Sequence, residues 1–353
     1  MVGAKMNKDD VSRSETIGIL LDSGHVGGVA TYSLSLAAGL RELNSVDVYV
    51  FCPDEPTQAL IELAEAWELR IWRLKKDARL KTRFLRRRLP EVGLWHVNGY
   101  RSTILAALSR KPFVATQHGV PAEVRVLRQS IYKRAHVWAQ NRALARIAVD
   151  PDSRELLEVR DSSSPIHLIL NAPRTGSAHP RVRSDSVSIG YIGRLAYEKG
   201  SDRLPAIFGH LQSSLPFATR FLVQGDGALA NQIRPDLSAL GVEQDEAGIP
   251  RWSEIDMAVM PSRSEGMPFA ALEALASGAA LMYSPVGGLN TLSGPGLLPV
   301  RNWDELPDEV AIRRALDERE VEYWLDLMRI RYNEMIRMHS EVYRQVLSGE
   351  VRR

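Results

Sequence analysis

Short apolar, β-branched runs alternate with stretches of helical length along the first half of the chain. T-I-G-I-L-L-D near 16–22, V-D-V-Y-V-F-C near 46–52, L-R-I-W-R-L near 69–74, L-W-H-V-N near 94–98 and P-F-V-A-T-Q near 112–117 predict strands. Residues 31–43 and 57–68 between them have helical period. Runs that are apolar throughout, separated by helices, predict a parallel sheet covered on both faces. Stretches rich in Ser, Pro, Gly and Arg at 162–165 and 173–185 bracket one further strand, H-L-I-L-N, and mark a linker. Alternation restarts at V-S-I-G-Y-I-G and runs on through R-F-L-V-Q-G, M-A-V-M-P-S and A-L-M-Y-S-P. Residues 320–347 keep helical period through Trp324, Leu327, Met328, Ile336 and Met338, which predicts one or two long C-terminal helices.

Two Rossmann-like lobes follow from this pattern, and a length of 353 residues agrees with two domains of ordinary size. Hydrophobic residues at 44% and charged residues at 25% exclude a wholly disordered or fibrous chain. The single cysteine, Cys52, excludes an internal disulfide or a structural zinc cluster and points to a reducing, cytoplasmic setting. No apolar run approaches the roughly 20 residues that span a bilayer.

Charge is nearly balanced at +2, yet unevenly placed. A window that opens at Arg70 and closes at Arg88 holds ten Lys or Arg against one acid, Asp77. Such a patch, carrying Trp72, Phe84 and Leu85, suits an anionic membrane surface or a phosphorylated acceptor better than nucleic acid.

In parallel α/β sheets ligands gather beyond the carboxyl ends of the strands, and three loops there carry chemistry. S-G-H-V-G-G-V, residues 23–29, leads from a strand into a helix; Gly27 and Gly28 let a ligand approach the backbone amides. G-R-L-A-Y-E-K-G, residues 193–200, presents Gly193, Arg194 and Lys199, and a guanidinium with an ammonium suits a diphosphate. P-S-R-S-E-G-M-P-F-A-A-L-E, from residue 261, places Glu265 before a helix that starts near Pro268 and Glu273 inside it. Two carboxylates so spaced suit pairs of sugar hydroxyls, and the amides of Gly266, Met267 and Phe269 suit phosphate or hydroxyl oxygen. Asp150-Pro151-Asp152 has the spacing of a metal motif, but before S-R-E-L-L it reads as a helix cap, leaving no metal site.

The E-x7-E spacing of Glu265 and Glu273, G-R-L…K-G, G-D-G at 225–227, I-D-M-A-V-M-P-S and V-G-G-L at 286–289 stand in the order of one family. The chain resembles the retaining nucleotide-sugar glycosyltransferases of the GT-B fold, family 4. The resemblance implies two doubly wound domains facing across a cleft: an acceptor domain over 1–172, joined by a C-terminal helix at about 330–353, and a donor domain over 173–329. It implies that Arg194 and Lys199 hold the donor diphosphate, Glu265 a donor-sugar hydroxyl and Glu273 the ribose, with Gly193, Gly266, Met267, Pro268 and Phe269 beside them. Gly27 and Gly28 would touch the diphosphate. His118 would approach the sugar, and Asn98, His118 and Gly119 would line the acceptor side; His25 and His96 read as structural. The implied reaction is sugar transfer with retention and without a metal or other cofactor, to a glycolipid, polyprenyl-linked or polysaccharide precursor.

Two features depart from the family pattern. The segment at 228–254 is short where the family has another strand and loop, and N-A-P at 171–173 replaces Asn-Gly. A sugar-nucleotide 2-epimerase of the same fold and a non-catalytic scaffold subunit are the rival readings. A dinucleotide oxidoreductase is weaker, since neither glycine loop reads G-x-G-x-x-G.

Overall fold

The computed structural model describes residues 16–43, 47–74, 91–119, 127–159, 164–174, 186–246 and 250–350, with the backbone alone over 127–132. The chain divides into two compact units, one of residues 1–174 with 331–353 and one of residues 175–330.

Seven parallel strands of the first unit, among the described residues, are β1 (Thr16–Leu20), β2 (Asp47–Cys52), β3 (Ile71–Arg73), β4 (Leu94–Asn98), β5 (Phe113–Gln117), β6 (Ala145–Ala148) and β7 (Ile166–Leu168). Their order is β3-β2-β1-β4-β5-β6-β7. Every residue of β1, β4, β5 and β6 is buried, which is why these strands read as continuous apolar runs rather than alternating ones. Helices α1 (Gly28–Glu42), α2 (Gln58–Ala66), α3 (Tyr100–Ser109), α4 (Leu127–Gln140) and α5 (Pro151–Glu158) connect them. Asp150 caps α5, its side chain accepting from Ser153 N at 2.9 Å with Pro151 in the first turn. That local role accounts for the D-x-D pattern.

The second unit holds β8 (Val187–Ile192), β9 (Thr219–Gln224), β10 (Glu243–Asp245), β11 (Met257–Met260), β12 (Ala280–Tyr283) and β13 (Leu297–Pro299), all parallel, in the order β10-β9-β8-β11-β12-β13. Helices α6 (Leu204–Ser214), α7 (Ala230–Ala239), α8 (Phe269–Ala276) and α9 (Glu309–Asp317) pack on it. Alternate residues face opposite cores: Ile189, Tyr191, Phe221, Val223, Met257 and Val259 meet α6 and α7 on one side, and Leu222, Ala258 and Met260 meet α8 on the other. The final helix, α10 (Val321–Leu347), is one continuous element. Its Trp324 and Met328 belong to the second unit's core, and its later residues belong to the first unit.

Three strands go beyond the sequence pattern. β6 carries the buried Arg146 at its centre, with its guanidinium donating to the Leu157 and Ser164 carbonyls. β10 is the polar edge E-Q-D and β13 the edge L-L-P. The segment at 228–254, expected to lack a strand, contains α7 and β10, paired in parallel with β9. The strand H-L-I-L-N contributes β7, the edge of the first sheet, and Asn171 and Pro173 beyond it are buried.

Candidate functional site

Both sheets reverse their strand order once, between β1 and β4 and between β8 and β11, and the loops at such a switch point open into a crevice. In the second unit these are the loop after β8, with Arg194 and Lys199, and the loop after β11, with Glu265. Lys199 Nζ meets Glu265 Oε2 at 2.6 Å, and Ser262 Oγ donates to Glu265 Oε1 at 2.6 Å. The Glu265 side chain is 3% exposed and that of Lys199 27%, so a buried carboxylate has both oxygens occupied while the ammonium reaches solvent. Arg194 turns elsewhere: 63% exposed, it pairs with Glu198 at 2.6 Å. The expected anion clamp therefore appears as two ion pairs, Lys199 with Glu265 and Arg194 with Glu198.

Backbone contacts lock these loops together. Gly225, at φ +149°, would place a Cβ 1.9 Å from the Gly193 carbonyl oxygen, and Gly287, at φ +53°, one 1.8 Å from that of Glu265. Leu195 N donates to Asp226 O, and Gly288 N to Gly266 O, both at 2.9 Å. The G-D-G and V-G-G-L motifs thus act as glycine seats for the two charged loops, a role their spacing alone does not reveal. Arg263 braces the same assembly, forking onto Asp202 at 2.6 and 2.7 Å and stacking 3.8 Å over Tyr197.

α8 begins at Phe269 with Pro268 as its N-cap, as expected. Met267 and Phe269 bury their side chains, so they present no side chain to a ligand. Glu273, one turn into α8, accepts from Trp252 Nε1 at 3.3 Å, and burial pushes its carboxyl above the usual range. Trp252 and Ser262 both touch the glutamates without having drawn attention in sequence. Ser262 stands three residues before Glu265, the one local signal that could have found it.

The first unit assembles a second polar cluster. Gly27 is the N-cap of α1 and Gly28 its first residue; a Cβ at either would meet nothing within 4 Å among the described residues. Asp22, just beyond β1, caps α3 by accepting from Ser102 N at 2.8 Å; burial holds its carboxyl above the ordinary range. Asn98 ends β4, and His118 and Gly119 follow β5. His118 Nε2 lies 2.9 Å from Asn98 Oδ1, and the ring packs T-shaped against Tyr32 with centroids 4.6 Å apart. Burial, reinforced by His339, pushes the His118 pKa down to about 3, so the ring is neutral at physiological pH. His96 is wholly buried between Tyr343 and Thr116 and is structural; Tyr32, His339 and Tyr343 gave no sequence signal. His25 is exposed. The basic window lies outside the described residues from position 75 onward; at its start the Arg70 guanidinium stacks 4.3 Å over Trp72.

Two family models match the chain: Glycosyltransferase Family 4 over residues 26–173 and Glycosyl transferases group 1 over residues 186–313. No curated protein matches it. Among solved structures, HepE of Anabaena in complex with UDP-glucose aligns with a TM-score of 0.72 at 16% identity, covering 94% of this chain and 100% of that one. The sucrose-phosphate synthase of Thermosynechococcus elongatus aligns at 0.69 and 18% identity, covering 95% and 100%. The pneumococcal O-GlcNAc transferase GtfA in complex with UDP and GlcNAc aligns at 0.65 and 12% identity, covering 96% and 100%. At such identities the likeness is one of fold.

Proposed function

We propose, for a chain that belongs to the family 4, group 1 glycosyltransferases and has their GT-B fold, that it moves a sugar from a nucleoside diphosphate sugar to an acceptor hydroxyl with retention at the anomeric carbon. The observation that carries this reading is the Lys199–Glu265 pair, held at the switch point of the second sheet beside the first amides of α8. A departing diphosphate gains negative charge. Lys199, Arg194 and the backbone amides at 266, 267 and 269 are positive groups able to stabilise that charge, which is the task a divalent metal performs elsewhere. When a donor arrives, the ammonium exchanges its carboxylate partner for phosphate oxygen and releases Glu265 to accept from a sugar hydroxyl. Trp252 and the buried carboxyl of Glu273 suit the ribose.

In the first unit the reading gives His118, Asn98 and Gly119 to the acceptor side. A neutral imidazole can accept a hydroxyl proton or donate to an oxygen without bringing charge of its own. The acceptor class proposed is a glycolipid, polyprenyl-linked or polysaccharide precursor, because the basic window from Arg70 to Arg88 suits an anionic surface.

The experiment is a thermal-shift screen of UDP-, GDP- and ADP-sugars, followed by transfer assays with and without EDTA. A donor at about 100 times its dissociation constant should add roughly 2.7 kcal/mol of stability. Transfer should survive chelation and keep the anomeric configuration; loss in EDTA with rescue by manganese refutes the metal-free mechanism. His118→Ala should lose transfer while keeping donor affinity.

A further inference from the structure

Beneath Asn98 and His118 lies a buried chain of polar side chains that the reaction does not itself require. Its direction is set by one bond. His339 Nδ1 donates to the Met335 carbonyl at 2.7 Å, one turn back along α10, so its Nε2 must accept. The donor to it is Tyr32 OH, from α1, at 2.6 Å. With that hydroxyl proton spent, Tyr32 receives from Thr116, whose side chain bonds it. The Thr116 hydroxyl oxygen in turn accepts from His96 Nε2 at 2.6 Å, leaving His96 Nδ1 to accept from Tyr343 OH. Tyr343, His96, Thr116, Tyr32 and His339 are each at most 1% exposed. Every donor along the chain is used, both imidazoles are neutral, and burial agrees in holding both below their ordinary pKa.

The chain lies directly under the candidate acceptor-side pair. His96 and Asn98 stand two apart on β4, so both point to the same face of the sheet. Thr116 is register partner to Asn98 and stands two residues before His118. The Tyr32 ring packs T-shaped against His118, and its hydroxyl is tied to His339 on the last helix.

We propose that Tyr32 and His339 are positioning residues for His118. The acceptor nitrogen of His339 fixes the Tyr32 ring, which holds the His118 imidazole against Asn98 with its Nε2 proton on the Asn98 side-chain oxygen Oδ1. This rests on the reading that His118 faces the substrate; the arrangement of the ring can be measured without any substrate.

The test is a long-range proton–nitrogen NMR spectrum of histidine-labelled free protein, with His118 assigned by its loss in His118→Gln. The wild type should show His118 as a single Nε2-protonated form at neutral pH. Tyr32→Phe keeps the ring and deletes only the hydroxyl, and His339→Leu deletes the acceptor; each should add a second, Nδ1-protonated signal set for His118. The double variant should look no worse than either single one, because both remove the same bond. His339→Gln, which retains an acceptor oxygen, should restore the single form. Should His339→Leu fail to fold, Tyr32→Phe and His339→Gln decide. An unchanged His118 spectrum in folded Tyr32→Phe overturns the proposal. Full transfer by His118→Ala would instead overturn the reading it rests on, leaving the spectrum's answer intact.

Discussion

Lys199 and Glu265 are 66 positions apart in sequence and meet at 2.6 Å, one on the loop after β8 and the other on the loop after β11. Their exposure is unequal, and this sets what each substitution costs. Lys199→Ala strands a buried carboxylate beside Ser262 and should destabilise by about 3 kcal/mol, the scale for breaking a buried pair. Glu265→Gln leaves the more exposed ammonium to water and should be milder. Arg194→Ala removes an exposed pair and should leave the melting temperature unchanged. Both cation variants should lose at least roughly 100-fold in turnover. Melting curves beside single-turnover kinetics check this; a normal turnover for Arg194→Ala would remove it from the mechanism.

The two glutamates should separate kinetically. Glu265 is assigned to the reacting sugar, so Glu265→Gln should chiefly lower kcat. Glu273 is assigned to ribose hydroxyls engaged equally before and during reaction, so Glu273→Gln should chiefly raise KM for the donor. Calorimetry with free nucleoside diphosphate gives a second readout, because that ligand lacks the sugar. Its affinity should weaken only in the Glu273 variant; equal losses in both would make the pair one structural unit.

Glycines in the two units should respond oppositely to alanine. At Gly287 a methyl group collides with the Glu265 carbonyl, and the left-handed backbone adds strain, so Gly287→Ala should cost 2 kcal/mol or more on the scale of about 1–3 kcal/mol per strained residue. At Gly28 a methyl group meets nothing described and the residue is helical, so Gly28→Ala should stabilise by about 0.5 kcal/mol. If ligand oxygen approaches the α1 amides, the same change should weaken donor binding despite the higher melting temperature. Unchanged binding would make Gly28 a plain turn residue.

Acid should weaken the first unit through its histidines. Burial holds His118 down to about 3, His339 down to about 4 and His96 well below 6.5. Above pH 6.5 these rings are neutral whether folded or not, and their contribution is fully present. As pH falls below 6.5 the unfolded chain binds protons that the folded one refuses, and stability is lost toward the folded pKa values. The slope approaches about 1.4 kcal/mol per pH unit per histidine. Asp22 and Glu273, raised by burial, act in the opposite sense at the acid end. Urea midpoints should drop from pH 7 to 5.5, and His339→Gln should flatten the slope. A flat profile would mean that these histidines protonate in place.

The basic window should bind anionic lipid. Co-sedimentation with phosphatidylglycerol vesicles is expected to fall steeply with salt and to vanish when Arg86, Arg87 and Arg88 are replaced by Ser. Equal binding to neutral vesicles would remove electrostatics from the account.

What the sequence determined by itself is whatever depends on neighbours along the chain. Continuous apolar runs marked the buried parallel strands, Asp150 before a proline and a helix announced its cap, and Glu265 and Glu273 stood before and within α8 where expected. Strands whose residues contradict their setting escaped it: β6 with its buried arginine, and the edges β10 and β13 with too few apolar residues to show a period. Partner choice was likewise decided by the tertiary structure. Nothing local to Tyr32 points to His339, 307 positions away. Only after α1 and α10 pack on the first sheet does burial exclude water from these groups and oblige each donor to find an acceptor inside the protein.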